Sequence, residues 1–282
     1  MTQRRSDRMS ASGIDHILSW ARSFRDPFYR EFAPPHDLAG YVACTWIRIV
    51  RCTGGEISAA ILPDGCADIM LYDDRPPRVA GPDAVTRQAM VWDGLVIFGI
   101  RIRPGACRAV LGCSAAEIVN GCVLLGDVVS GARELHRTTL ASADPFGRLT
   151  ALEHWVRSRL DRATGNDRAV ITACRLLGAG SRTDVGDVAR RLEWNARMMH
   201  RQFVAACGYS PKHFQRIMRI QETLRIANRI SSGRLADLAA AAGFADQPHM
   251  TRDFRDITGF TPGVYLASQM SPGWGTWIDE GW

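Results

Sequence analysis

Two stretches of this chain are versions of one phrase, and that duplication restricts the fold more than any other feature. The first runs Asp187-Val188-Ala189-Arg190-Arg191-Leu192-Glu193-Trp194, continues from Asn195 to Phe203 and closes on Gly208-Tyr209-Ser210-Pro211. The second runs Asp237-Leu238-Ala239-Ala240-Ala241-Ala242-Gly243-Phe244, continues from Ala245 to Phe254 and closes on Gly259-Phe260-Thr261-Pro262. The offset is 50 residues at the start and 51 from Arg201 and Arg252 onward, so the second copy has one extra residue in its turn. Each copy reads as a short helix, a turn and a second helix, with the small Ala189 or Ala239 letting the two helices cross closely. Asn195 is placed to cap a helix over 196–204, with Val188, Leu192, Met199 and Phe203 on its buried side. In the second copy Gly243 suits a positive φ in the turn. Asp246 is the expected cap, Pro248 falls in the first helical turn, and Leu238, Phe244, Met250 and Phe254 form the matching core. Between the copies, 211–229 reads as one helix carrying Phe214, Ile217, Met218, Leu224, Ala227 and Ile230 at helical spacing.

Charge points the same way. Between Asn166 and Gln269 there are 15 Arg and Lys against 9 Asp and Glu, so the whole formal excess of +6 lies in this segment. A basic surface confined to one domain suits a polyanion, because Arg and Lys release counterions as they neutralise phosphates; a merely solvated face has the same charge.

The run Gly243-Phe244-Ala245-Asp246-Gln247-Pro248-His249-Met250-Thr251-Arg252-Asp253-Phe254, followed by Thr258-Gly259-Phe260-Thr261-Pro262, resembles the signature of the AraC/XylS family of transcription regulators. The resemblance extends over about 185–265 and implies a DNA-binding domain of two helix-turn-helix motifs. Two departures stand out: Glu193 occupies the first turn where Gly is common, and Ala245 replaces a Ser cap. By this resemblance the outward positions are Arg197, His200 and Arg201 on the first recognition helix and Gln247, His249 and Arg252 on the second. Arg can donate two hydrogen bonds to guanine and Gln can pair similarly with adenine, while His200 and His249 suit phosphates as well. For Arg201 and Arg252 a competing role is bracing their own helix through salt bridges. Lys212, Arg216 and Arg219 on the connecting helix read as phosphate contacts or solvated face.

The first half is written differently. Runs rich in β-branched and aromatic residues at 41–50, 57–62, 68–72 and 95–102 are separated by Pro63-Asp64-Gly65, Arg75-Pro76-Pro77 and Gly81-Pro82-Asp83, which predicts a small β-barrel or sandwich. After Pro104 the pattern turns helical, with stretches at about 131–140, 145–162 and 168–177 and a break at Ala163-Thr164-Gly165-Asn166. The fold class is therefore α+β, with a β-rich domain and its following helices ahead of an all-α domain. The divisions are a polar, disordered N-terminus (1–13), a sensor or dimerisation domain (14–165), the DNA-binding domain (166–269) and a flexible tail (270–282).

Trp46, Pro63-Asp64-Gly65-Cys66-Ala67-Asp68 and Arg103-Pro104-Gly105-Ala106 resemble the β-rich domain often found ahead of this DNA-binding module, which implies a role in sensing or dimerisation. Double-stranded DNA at a promoter or operator is the expected partner. RNA polymerase, a small-molecule effector inside the barrel and a second copy of the chain are further candidates. Asp64, Cys66 and Asp68 are accounted for by a tight turn. His16, His36, His136 and His154 are isolated, so neither a metal site nor a cofactor is expected. The eight cysteines form no C-x-x-C pair, no disulfide framework is expected, and no segment has the ~20 apolar residues that cross a bilayer. The residues Met1 to Ser12 do not read as a secretion signal, which predicts a cytoplasmic protein. The chain is expected not to be an enzyme. The alternative is an enzyme or DNA-repair protein whose first domain does the chemistry while the second delivers it to DNA.

Overall fold

The computed structural model describes residues 21, 23, 26–53, 55–72, 75–161, 163–178, 183–229 and 234–267. Ile230, the polar N-terminus and the tail with Trp274, Trp277 and Trp282 lie outside the described residues.

The first domain is built on a six-stranded antiparallel sheet in the order β1-β2-β7-β4-β5-β8, with a separate pair β3-β6. The strands are β1 (Phe28–Phe32), β2 (Val42–Ile49), β3 (Glu56–Ile61), β4 (Ala67–Leu71), β5 (Arg78–Ala80), β6 (Arg87–Trp92), β7 (Val96–Ile102) and β8 (Cys122–Leu124). The domain is β-rich as expected, but the large sheet does not close, and β1 and β8 are its edges. Central strands β2 and β7 are buried on both faces, so they read as continuous apolar runs rather than as alternation. On one face Ile47, Ile49, Ile69, Phe98 and Ile100 meet a layer of helices through Val110, Leu149, Leu152 and Val156. On the other, Cys44, Trp46 and Ile97 pack on Ala59 and Val91 of the β3-β6 pair.

The inner face also buries charge. Arg101 is 7% exposed and pairs with Asp68 at 3.2 Å, Glu31 at 3.4 Å and Asp64 at 3.8 Å. The Trp46 indole N–H donates to the same Asp68 at 2.8 Å. Gly99 makes room for this ring: a Cβ there would lie 2.1 Å from the indole, well inside contact distance. Desolvation pushes the Asp64 carboxyl and the Cys66 thiol up, with Arg101 opposing both shifts.

The helices are α1 (Cys107–Leu111), α2 (Leu125–Val128), α3 (Ala132–Ala141), α4 (Pro145–Leu160), α5 (Gly165–Gly178), α6 (Val185–Arg191), α7 (Ala196–Cys207), α8 (Pro211–Arg229), α9 (Leu235–Ala241), α10 (Gln247–Thr258) and α11 (Pro262–Ala267). The break expected at 163–166 is the start of α5. Thr164 Oγ1 donates to Asp167 Oδ2 at 2.6 Å while the Asp167 N–H donates back to Thr164 Oγ1 at 3.3 Å, a reciprocal cap. Val170, Ala173, Cys174 and Leu177 of α5 join the second core, which α6 to α11 complete.

The two domains are in direct contact through α7, α8 and α10. The buried side chain of Gln221 donates to Pro63 O at 2.7 Å, and His213 Nε2 lies 2.8 Å from Ala84 O. Ser114 Oγ donates to Ala205 O at 3.1 Å, and Thr86 N to Ile257 O at 2.9 Å. Gly65, at φ +83°, turns the chain where a Cβ would meet the Phe214 ring at 2.9 Å.

Gly99→Ala is expected to destabilise the chain by about 1–3 kcal/mol, because the added methyl overpacks against the Trp46 ring. A lowered urea midpoint without a change in slope is the readout.

Candidate nucleic-acid interface

The two copies of the sequence phrase have the same local geometry. Asp184 caps α6 by accepting the Gly186 N–H at 2.7 Å. In the turn after α6 the Trp194 N–H donates to Ala189 O at 2.8 Å; after α9 the equivalent Phe244 N–H donates to Ala239 O at 2.9 Å. Glu193 has φ +57° and Gly243 φ +78°, so the same left-handed step occurs in both, once with glycine and once without. Asn195 Oδ1 accepts from the Met198 N–H at 2.8 Å to start α7, and Asp246 Oδ1 accepts from the His249 N–H at 2.6 Å to start α10. Both caps are the residues expected, and Pro248 lies in the first turn of α10. Helices α7 and α10 run three and four residues further than read from sequence, each ending on a left-handed Gly208 or Gly259.

Burial then sorts the helix faces. Met199 and Phe203 on α7, and Met250 and Phe254 on α10, are fully covered. Arg197, His200 and Arg201 are exposed on α7, as are Gln247 and Arg252 on α10. Arg197, Arg201 and Arg252 have no ion pair among the described residues, so the bracing role weighed for Arg201 and Arg252 finds no partner there. Lys212 is exposed at the start of α8, 4.0 Å from Asp184.

His249 and Arg216 occupy a different setting. Asp253, on the inner side of α10, accepts from Arg216 Nε at 2.9 Å and Arg219 Nη2 at 3.1 Å, and lies 3.5 Å from His249 Nε2. Arg216 also donates to Asp256 at 2.7 Å, and the Arg219 guanidinium lies over the Phe244 ring. One carboxylate thus ties α10 to α8 through two arginines. Asp253 is not among the residues expected from sequence, although its place next to the core residue Phe254 and four after His249 marks an inward-facing charge.

Residues 188–268 match the family profile described as a helix-turn-helix domain. The chain carries an AraC-type helix-turn-helix domain. Ahead of this domain, residues 30–124 match a domain of unknown function, DUF6597. Among solved structures, ToxT from Vibrio cholerae O395 aligns at a TM-score of 0.40 and 12% identity, covering 88% of this chain and 98% of its own. ToxT bound to (E)-4-(8-methylnaphthalen-1-yl)but-3-enoic acid gives 0.42 and 13%, covering 86% and 98%. Unsaturated fatty acid bound wild-type ToxT from strain SCE256 gives 0.39 and 10%, covering 86% and 97%. No curated protein matches the chain.

The helix-turn-helix domain spans α6 to α11 and is a DNA-binding module of transcription regulators. No helix among the described residues is long and apolar enough to cross a membrane. In the first domain, burial raises the Cys66 thiol well above its ordinary value, the opposite direction from an activated nucleophile. Among the described residues no three His, Cys, Asp or Glu side chains cluster as metal ligands do.

Two substitutions test this architecture. Glu193→Gly removes a left-handed non-glycine residue and is expected to stabilise the chain by about 1 kcal/mol, seen as a higher Tm. Asp253→Ala leaves Arg216 and Arg219 without their shared carboxylate and is expected to cost about 1–3 kcal/mol in chemical denaturation.

Proposed function

We propose that this chain is a sequence-specific transcription regulator in which α7 and α10 enter successive major-groove faces of one duplex, and that the first domain modulates this binding. The observation that carries the reading is the sorting of charge on the two helices. Each offers solvent an Arg-bearing, acid-poor stretch near its N-terminus, while Asp246 is used as a cap and Asp253 is turned inward. Recognition helices read base edges with side chains from their N-terminal turns, and two such helices on one duplex would lie about 34 Å apart. Arg197, Arg201, Gln247 and Arg252 are the proposed base readers, with His200 and Lys212 toward phosphates. His249 and Arg216 are proposed to contact the DNA backbone; both are already engaged with Asp253, His249 within α10 and Arg216 across from α8.

The modulating role rests on where the first domain touches the second. Its contacts fall at the C-terminal ends of both α7 and α10, at Ala205 and Ile257, and on α8 between them. A shift at these loops would change the relative placement of the two recognition helices.

A site selected from a random DNA pool gives the assay its target. At controlled salt, Arg197→Ala and Arg252→Ala are each expected to lose about 1–3 kcal/mol at that site and to narrow the gap to random DNA. Lys212→Ala is expected to weaken all sequences alike and lower the salt slope by about one. Equal losses on every sequence for the arginine variants would refute their role as base readers.

A further inference from the structure

A cavity of about 450 Å³ opens between the β3-β6 pair and the β4-β5-β8 end of the large sheet. Its walls are apolar, with Ile61, Val91, Leu95 and Ile97 among them, and Trp92 contributes an aromatic wall. Three arginines, Arg75, Arg78 and Arg87, line the same space, and no acidic side chain does so among the described residues. Among the described residues their one ion pair is that of Arg87 with Asp83. Arg75 lies on the Trp92 ring at 4.4 Å. Arg78 donates to the carbonyl oxygen and thiol of Cys122. Arg87 shares Asp83 at 3.1 Å, on a loop outside the cavity wall. Tyr72 adds a hydroxyl whose contact is the Met70 thioether at 3.7 Å, a weak acceptor. Burial raises the Tyr72 hydroxyl to about 12, and Arg78, Arg87 and Arg75 oppose that shift.

We propose that this cavity binds an organic carboxylate with an aliphatic or aromatic body. The carboxylate would be held by Arg78 and Arg75 beside the Tyr72 hydroxyl, and the body would lie against Trp92 and the apolar wall. A cavity of this size with apolar walls and a few convergent polar groups fits a small ligand, and a guanidinium matches a carboxylate with two parallel hydrogen bonds. A carboxylate supplies the negative group that the described cavity wall lacks, and a bare inorganic anion would leave the apolar wall unfilled. The assignment rests on the reading that the first domain modulates DNA binding, and the structure contains a route for it. Arg87 ties the cavity to Asp83, and the next residues, Ala84 and Thr86, contact His213 of α8 and Ile257 of α10.

Calorimetric titration of the full chain with decanoate and 4-phenylbutyrate, each against its neutral amide, and with inorganic phosphate, tests the ligand class. Saturable binding of at least one acid is expected, about ten- to a hundredfold weaker in Arg78→Gln and again in Arg75→Gln, with little binding of the amides. Arg75 is exposed, so its variant remains informative where Arg78→Gln perturbs the β5-β8 pairing. The proposal is overturned if no acid binds, if amides bind as well as acids, if phosphate alone binds equally, or if neither arginine variant weakens the acid. A DNA shift assay at saturating acid separates the two readings. Binding without any change in DNA affinity refutes modulation by this ligand and leaves the carboxylate site standing.

Discussion

The buried face of α8 is the surface on which everything else is assembled. Phe214, Ile217, Met218 and Leu224 on this helix lie in the core that α5 to α11 share. The same helix accepts the first domain through Gln221 and the Phe214 ring under Gly65. A helix of 19 residues is about 28 Å long, enough to hold two small helix pairs side by side without their touching each other extensively. Short units such as α6/α7 and α9/α10 bury too little apolar surface to be stable alone, so their stability is borrowed from α8. The Asp253 pairings add direction to this apolar contact, because a carboxylate between Arg216 and Arg219 accepts only a narrow range of helix rotations.

Much of the second domain was legible because its local rules agree with one another. Helix α8 runs over the residues read from its apolar spacing, and the caps Asn195 and Asp246 are the side chains that a cap requires. Glu193 takes the left-handed step that its place in the repeat demanded. The first domain was less legible. Strands β2, β3, β4 and β7 were visible as β-branched runs, while β1, β5, β6 and β8 were not. Phe28–Phe32 and Arg87–Trp92 carry charges and a mixed pattern, and Arg78–Ala80 and Cys122–Leu124 are three residues each, too short for any periodicity. Their pairing is decided by partners distant in sequence, such as Val79 opposite Val123. That the sheet stays open is likewise a property of strand order, which no single segment encodes.

For the candidate site, the exposure of its surface residues was legible and its internal contacts were not. Arg197, His200, Arg201, Gln247 and Arg252 face solvent because helical spacing from Met199, Phe203, Met250 and Phe254 puts them there. Arg216 and Arg219 meet Asp253 because two separate helices converge, a fact of tertiary packing, whereas His249 reaches it one turn along the same helix. The same holds for the inner face of the first domain. Asp64 and Asp68 read as turn residues, and the turn is there, with Asp64 Oδ1 accepting the Cys66 N–H at 2.8 Å. Their shared contact with the buried Arg101 appears only when β7 is laid beside β4.

The anchoring of Thr86 and Ser114 at carbonyls near the far ends of α10 and α7 gives the first domain the character of a ruler. On the proposed reading, a duplex whose two half-sites are pushed apart by one inserted base pair is rotated by roughly 34° and lengthened by about 3.4 Å. On that reading, recognition helices held from behind at these carbonyls would follow such a rotation only by giving up the two hydrogen bonds. Operator phasing would then be policed in part from the first domain.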